Sequence, residues 1–275
     1  MRFFEKLERA ARKNGSLLCV GLDPDPELMP VDDVAAFNRA IIAATCDYVC
    51  AYKPNLGFYE ALGVKGYAAL RETLAAIPGD IPVIGDGKRG DIGNTAKAYA
   101  RALFDELGFD AVTVNPYLGG DAVEPFLERE DKAAFILCRT SNPGARDLQD
   151  LVVNDGDASR PLFEVVAAMA SRWNTRGNVG LVVGATYPDE LRRVRRICPE
   201  MTLLVPGVGA QGGDVAVVMA NGLDAKGGGL IINVSRQVLY ASKGADFARA
   251  AGEAARRLRD EIERERQSAL ERTDD

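Results

Sequence analysis

The sequence predicts a single (β/α)8 barrel, and three observations point to it. Eight apolar, β-branched-rich runs recur at intervals of about thirty residues. Amphipathic segments of helical period lie between them. The chain has 275 residues, a length that one α/β barrel commonly fills.

Taken in order, the first fifteen residues, MRFFEKLERAARKNG, read as a helix preceding the barrel. Strands are expected in SLLCVGLD (16–23), DYVCAYKPN (47–55), IPVIGDGK (81–88), AVTVNPY (111–117), AAFILCRTS (133–141), NVGLVVGAT (178–186), MTLLVPGVG (201–209) and GLIINVSR (229–236). Near-continuous apolar runs suit strands covered on both faces. Crossover helices are expected in segments such as VAAFNRAIIAAT (34–45), NTAKAYARALFDELG (94–108) and PLFEVVAAMASRWN (161–174). Strand, helix and parallel strand repeated eight times close most naturally into a TIM-type barrel. An open doubly wound sheet is the alternative, but no G-x-G-x-x-G follows the first strand.

Residues 1–275 therefore read as one domain, with barrel strands over about 16–236, a C-terminal helix to about 268 and a fraying tail. There is no interdomain linker. The stretch RTSNPGARDLQDLVVNDGDASR (139–160) is a long polar excursion of the kind that forms lids.

Composition narrows the function. Apolar residues at 47% and charged residues at 27% describe an ordinary globular protein without a membrane-length apolar run. The start lacks the apolar core of a signal peptide, so a cytoplasmic protein is expected. Five scattered cysteines without a C-x-x-C pair indicate neither a disulfide framework nor a zinc site. Histidine is absent, which excludes Ser-His and Cys-His nucleophiles and any His-ligated metal. A net charge of −6 argues against nonspecific nucleic-acid binding and leaves a small polar substrate as the simpler expectation.

Barrel active sites lie at the carboxyl ends of the strands. Asp23, Lys53, Asp86 with Lys88, and Ser141 end the first, second, third and fifth predicted strands. Asp86 and Lys88 are two apart and share a face, which Lys53 approaches from the neighbouring strand. A salt bridge closing the barrel mouth is the plain alternative, but four charges on adjacent strand ends are costly to bury without a use. Asp91 lies in the turn beyond the strand, either as a helix-entry acid or as a member of an alternating array with Lys53, Asp86 and Lys88.

A phosphate grip is expected at the last two strands. VPGVGAQGG (205–213) forms a glycine-rich loop carrying Gln211, and NVSRQVLY (233–240) places Ser235 and Arg236 at the start of a short helix. Barrels hold phosphate at these loops, and arginine binds it through paired charge-assisted hydrogen bonds.

With these residues in view, the chain resembles the orotidine 5′-phosphate decarboxylase family, in particular its bacterial branch with longer loops, from about Leu17 to Leu239. The D-x-K-x-x-D-I motif, Asp86, Lys88, Asp91 and Ile92, is the most specific match. GLDP (21–24), YKPNLGFYE (52–60), TSNPGA (140–145), PGVGAQGGD (206–214) and NVSR (233–236) support it. The resemblance implies a carboxy-lyase without cofactor or metal that makes UMP and carbon dioxide in pyrimidine biosynthesis. It implies that Asp23 and Lys53 hold the ribose hydroxyls, Lys88 protonates C6 and Asp86 sits beside the substrate carboxylate. It implies further that Ser141 bonds the pyrimidine and that Gln211 and Arg236 hold the phosphate. A homodimer is implied too, with Asp91 and Thr95 completing the partner's site. The glycines of G-D-G-K-R-G-D depart from the bulkier pattern of many members and leave the place of Arg89 open.

Three rivals remain at this level: a magnesium enzyme of the same superfamily acting on a sugar phosphate, a Schiff-base aldolase using Lys53 or Lys88, and a noncatalytic nucleotide-binding barrel.

Overall fold

The computed structural model of the protein describes residues 1–156, 158–209 and 213–272. Ten strands occur among these residues: β1 (Leu18–Leu22), β2 (Ala51–Pro54), β3 (Ile84–Arg89), β4 (Ala111–Val114), β5 (Ala133–Arg139), β6 (Val152–Asp155), β7 (Ala158–Pro161), β8 (Val179–Val183), β9 (Leu203–Pro206) and β10 (Leu230–Val234). Eight of them form one parallel sheet in the order β2-β1-β10-β9-β8-β5-β4-β3. Bridges from Tyr52 to Val83 and from Asn55 to Asp86 join its two ends and close the barrel. That seam carries Lys53 and Asp86. Each predicted run overlaps one barrel strand.

The helices are α1 (Phe3–Asn14), α2 (Val34–Thr45), α3 (Leu56–Glu60), α4 (Gly63–Ala76), α5 (Gly93–Arg101), α6 (Gly120–Leu127), α7 (Leu162–Trp173), α8 (Pro188–Ile197), α9 (Val215–Gly222), α10 (Arg236–Leu239) and α11 (Phe247–Glu271). Local chemistry starts several of them. Asp33 accepts from Ala36 N at 2.9 Å to cap α2, and Asp214 accepts from Ala216 N at 2.8 Å to cap α9. The predicted helix over 94–108 is α5 followed by a wider turn, Ala102–Glu106.

Two apolar layers result from strand alternation. Outward side chains pack under the helices, while Cys19, Ala51, Ile84, Ala111, Phe135, Leu204 and Ile231 fill the barrel interior. Phe3 and Leu7 of α1 join that inner cluster, and Phe3 meets Phe135 edge-on at 5.7 Å. The N-terminal helix therefore plugs the bottom of the barrel. Two residues further along their strands, Lys53, Asp86, Thr113 and Asn233 occupy the next inward-facing level, where the apolar filling gives way to polar groups.

The polar excursion after β5 has more structure than its composition suggests. It holds a turn, Pro143–Asp147, and the antiparallel hairpin β6–β7. Arg139, at the end of β5, is fully buried beneath it. Its guanidinium stacks 4.2 Å from the Tyr187 ring centroid, lies 3.2 Å from Asp150, and donates to Thr140 O at 2.9 Å. Gln149 Oε1 accepts from Thr140 N at 2.8 Å. A buried arginine thus ties the base of the loop to the barrel.

Candidate active site

Asp86 is the centre of the site. It is 7% exposed, its Oδ2 accepts from Lys53 Nζ at 2.7 Å, and its Oδ1 accepts from Lys88 Nζ at 2.6 Å. Thr113 adds a third donor, its hydroxyl lying 2.9 Å from Oδ1. Lys53 is 4% exposed, so neither partner could hold its charge there alone. Burial opposes ionisation of both groups, and the pairing outweighs it. Asp86 and Asp23 raise Lys53 above the ordinary lysine value, and the two lysines hold Asp86 well below the ordinary carboxylate range.

Lys88 reaches this cluster by an irregular backbone. Its φ is +47°, a left-handed conformation found at no other non-glycine among the described residues, and the β3–β4 pairing shifts register between Gly85 and Arg89. Strain of this kind persists where surrounding contacts over-determine it. One such contact is Lys88 N donating to Thr113 Oγ1 at 2.9 Å. Simple alternation along the strand would have carried the ammonium inward with Asp86. Instead the bulge leaves the side chain 48% exposed at the rim with only its Nζ turned to Asp86.

A cavity of about 430 Å³ opens beside the cluster, lined by Asp23, Lys53, Asp86, Asn233, Ser235 and Arg236 among others. Asp23 Oδ1 is buried there without a hydrogen-bond partner among the described residues. Ser235 fits because residue 21 is glycine: a Cβ at Gly21 would lie 2.0 Å from Ser235 Oγ. Arg236 opens α10, exposed and without an ion-pair partner among the described residues. Tyr240 braces the floor, donating to Asp23 O at 2.9 Å and accepting from Asp25 N at 2.6 Å. Burial pushes its hydroxyl up to about 12.

Other predicted residues stand apart from this cavity. Asp91 Oδ1 accepts from Ile92 N at 2.8 Å, outside the Lys53–Asp86–Lys88 cluster of its own chain, and Thr95 is exposed on α5. Ser141 packs against Gly184, where a Cβ would come within 2.8 Å of Ser141 N. Gln211 lies outside the described residues. Arg89 turns away from the cavity, pairing with Glu60 and stacking over Tyr99.

Sequence reasoning missed Thr113, Asn233 and Tyr240. Thr113 in AVTV and Asn233 in IINV each interrupt an apolar strand at an inward position, a signal that could have found them. Tyr240 carries no such mark.

Comparison with known proteins bears directly on this geometry. Residues 16–251 match the model of the orotidine 5′-phosphate decarboxylase / HUMPS family. The chain belongs to this family.

Orotidine 5′-phosphate decarboxylases from Dehalococcoides mccartyi and Herpetosiphon aurantiacus are 55% and 56% identical to it. These alignments cover 95% and 92% of this chain and 97% and 95% of the relatives. The solved Leishmania donovani OMP decarboxylase superposes with a TM-score of 0.86 at 45% identity, over 97% of this chain and 99% of that one. The chain is accordingly a decarboxylase, of the carboxy-lyase class, on a single (β/α)8 barrel. The run Asp86-x-Lys88-x-x-Asp91 begins at the bulged end of β3, at the barrel's closing seam. Among the described residues no cluster of His, Cys, Asp and Glu could hold a metal ion, and no helix is long and apolar enough to cross a membrane.

Proposed function

We propose that this protein converts orotidine 5′-phosphate to UMP and carbon dioxide in cytoplasmic pyrimidine biosynthesis, with Lys88 as the proton donor. One observation carries the reading: both oxygens of Asp86 are held by ammonium groups at the edge of a cavity whose other end carries Ser235 and Arg236.

The nucleotide phosphate is bound by Arg236 and Ser235 at the start of α10, with Gln211 as a further donor. Asp23 and Lys53 take the ribose hydroxyls, and the unpartnered Asp23 Oδ1 suits a hydroxyl donor. Ser141 bonds the pyrimidine. This places C6 beside Lys88 and the substrate carboxylate beside Asp86, whose charge repels it.

As the bond from C6 to the carboxylate breaks, carbon dioxide leaves and the electron pair stays on C6, in an sp² orbital the ring cannot delocalise. The fixed Lys88 ammonium stabilises that pair without solvent reorganisation and then transfers a proton to it. Lys88 is left as a neutral amine, and its half-exposed side chain regains a proton from solvent. Enzymatic acceleration reaches roughly 23 kcal/mol at its upper end, more than one charge pair supplies. Binding of the remote phosphate contributes another share.

The protein acts as a homodimer in which Asp91 and Thr95 complete the partner's site. Exposed Ile92 and Tyr99 beside them supply apolar surface for such a contact. The magnesium rival fits poorly, because the Asp86 oxygens already face two ammonium groups that repel a divalent cation.

The test follows the ultraviolet change on mixing purified protein with orotidine 5′-phosphate in excess chelator, beside a Lys88→Ala control. Turnover by the wild type and none by the variant is expected. Activity only on a sugar phosphate, abolished by chelator, would overturn the reading.

A further inference from the structure

Asn233 lies on β10, opposite Cys19 of β1 in the parallel register. Its strand neighbour two residues back, Ile231, belongs to the barrel's inner cluster, so alternation turns Asn233 inward, at the level of Lys53 and Asp86. It is 7% exposed and lines the same cavity. Its Oδ1 is buried, and neither amide atom has a hydrogen-bond partner among the described residues. A buried amide left unpaired is costly, so such a group at a cavity wall marks a contact that a ligand completes.

Among the described residues a second unpaired acceptor at this cavity is Asp23 Oδ1, at the end of the adjacent strand. Gly21 lies between them on β1, and its missing side chain leaves room for Ser235 at the same wall. Arg236, three residues beyond Asn233, marks the phosphate end, while the Asp86 cluster stands across the mouth on β3. Asn233 is therefore placed under the part of the nucleotide between phosphate and base. That part is the ribose, whose two neighbouring hydroxyls supply one donor for Asp23 Oδ1 and one for Asn233 Oδ1.

From this placement we infer that Asn233 is a further substrate-binding residue, accepting a hydrogen bond from one ribose hydroxyl and so selecting ribonucleotides over deoxyribonucleotides. The inference rests on the nucleotide reading above and adds a specificity determinant to it. Hydroxyl recognition discriminates strongly because an analogue lacking the group leaves the buried acceptor unpaired again.

The test measures binding of UMP, 2′-deoxy-UMP, 3′-deoxy-UMP and ribose 5-phosphate to the wild type, Asn233→Leu and Asn233→Ser by calorimetry. Asn233→Leu keeps the side-chain volume and removes the amide. It is expected to weaken UMP and ribose 5-phosphate by about tenfold and to leave one of the two deoxynucleotides within about twofold of the wild type. Asn233→Ser keeps a small acceptor and is expected to fall between. Ratios between ligands are read within each variant, so partial loss of folded protein does not alter the outcome. Equal weakening of all four ligands, or weakening of UMP but not of ribose 5-phosphate, overturns the assignment of Asn233 alone. A wild type that binds none of them overturns the decarboxylase reading as well.

Discussion

The hydroxyl of Thr113 lies 2.9 Å from Asp86 Oδ1 and 2.9 Å from the backbone nitrogen of Lys88. One side chain on β4 thus orients the buried carboxylate and holds the strained residue that carries the ammonium. Thr113→Val keeps the shape and removes both bonds. It is expected to lower kcat by about ten- to a hundredfold, the value of a hydrogen bond to a charged group, with little change in KM. Steady-state kinetics on orotidine 5′-phosphate checks this, and an unchanged kcat would show that Asp86 and Lys88 hold their positions without it.

The left-handed backbone at Lys88 separates stability from activity. Lys88→Ala and Lys88→Gly both remove the ammonium and should lose at least about a thousandfold in kcat, given that proton transfer and electrostatic stabilisation each contribute at least about a hundredfold. Glycine adopts φ near +47° without the Cβ penalty, so Lys88→Gly should be more stable than Lys88→Ala by about 1 kcal/mol. Urea midpoints of the two variants decide it; equal midpoints would mean that the backbone relaxes when the side chain is cut.

Gly21 is required by the approach of Ser235. A methyl group there would lie 2.0 Å from Ser235 Oγ, so Gly21→Ala should displace the start of α10 and with it Arg236. The expected result is a rise in KM for the nucleotide of about tenfold or more, with less effect on kcat. A KM near the wild-type value would mean that Ser235 and Arg236 do not hold the phosphate.

The pH dependence of stability follows from the Lys53–Asp86 pair. Asp86 is depressed in the folded state, so its contribution is present above the unfolded carboxylate value of about 3.9 and is lost as pH falls below it. Lys53 is raised, so its contribution is complete below about 10.4 and is lost only as pH climbs beyond that value. No histidine titrates between them. Unfolding midpoints should change little from about pH 5 to 9 and drop below about pH 4. Asp86→Asn, which leaves Lys53 without its nearest anion, should cost about 3–5 kcal/mol at pH 7 and flatten the acid limb. An acid limb as steep as the wild type's would assign that loss to other carboxylates.

Much of the fold could be read from the chain because the strand runs are mostly apolar and are followed by Gly, Pro, Asn or Asp. The β6–β7 hairpin escaped notice because its strands, VVND and ASRP, are only four residues each and mix apolar with polar residues without a period-2 pattern. The lone charged residues at the strand ends were legible as a cluster, whereas the uncharged Thr113, Asn233 and Tyr240 were not. A hydroxyl or amide inside a strand gains meaning only from the neighbour it meets, and Thr113 meets Asp86 across 27 residues of chain.

By itself the sequence determined the eight-fold alternation of strand and helix, the missing histidine and the carboxyl-end placement of Asp23, Lys53, Asp86 and Lys88, since all of these depend on residue type and local period. Only the tertiary structure decided that β2 and β3 close the barrel, that a bulge turns Lys88 onto Asp86, and that Asp23 and Asn233 share one cavity with an acceptor left open on each. The reason is physical: the charge state of Lys53 and Asp86 and the unmet hydrogen bonds of the cavity are set by burial and by contacts between distant strands, and neither is written into the short-range pattern of the chain.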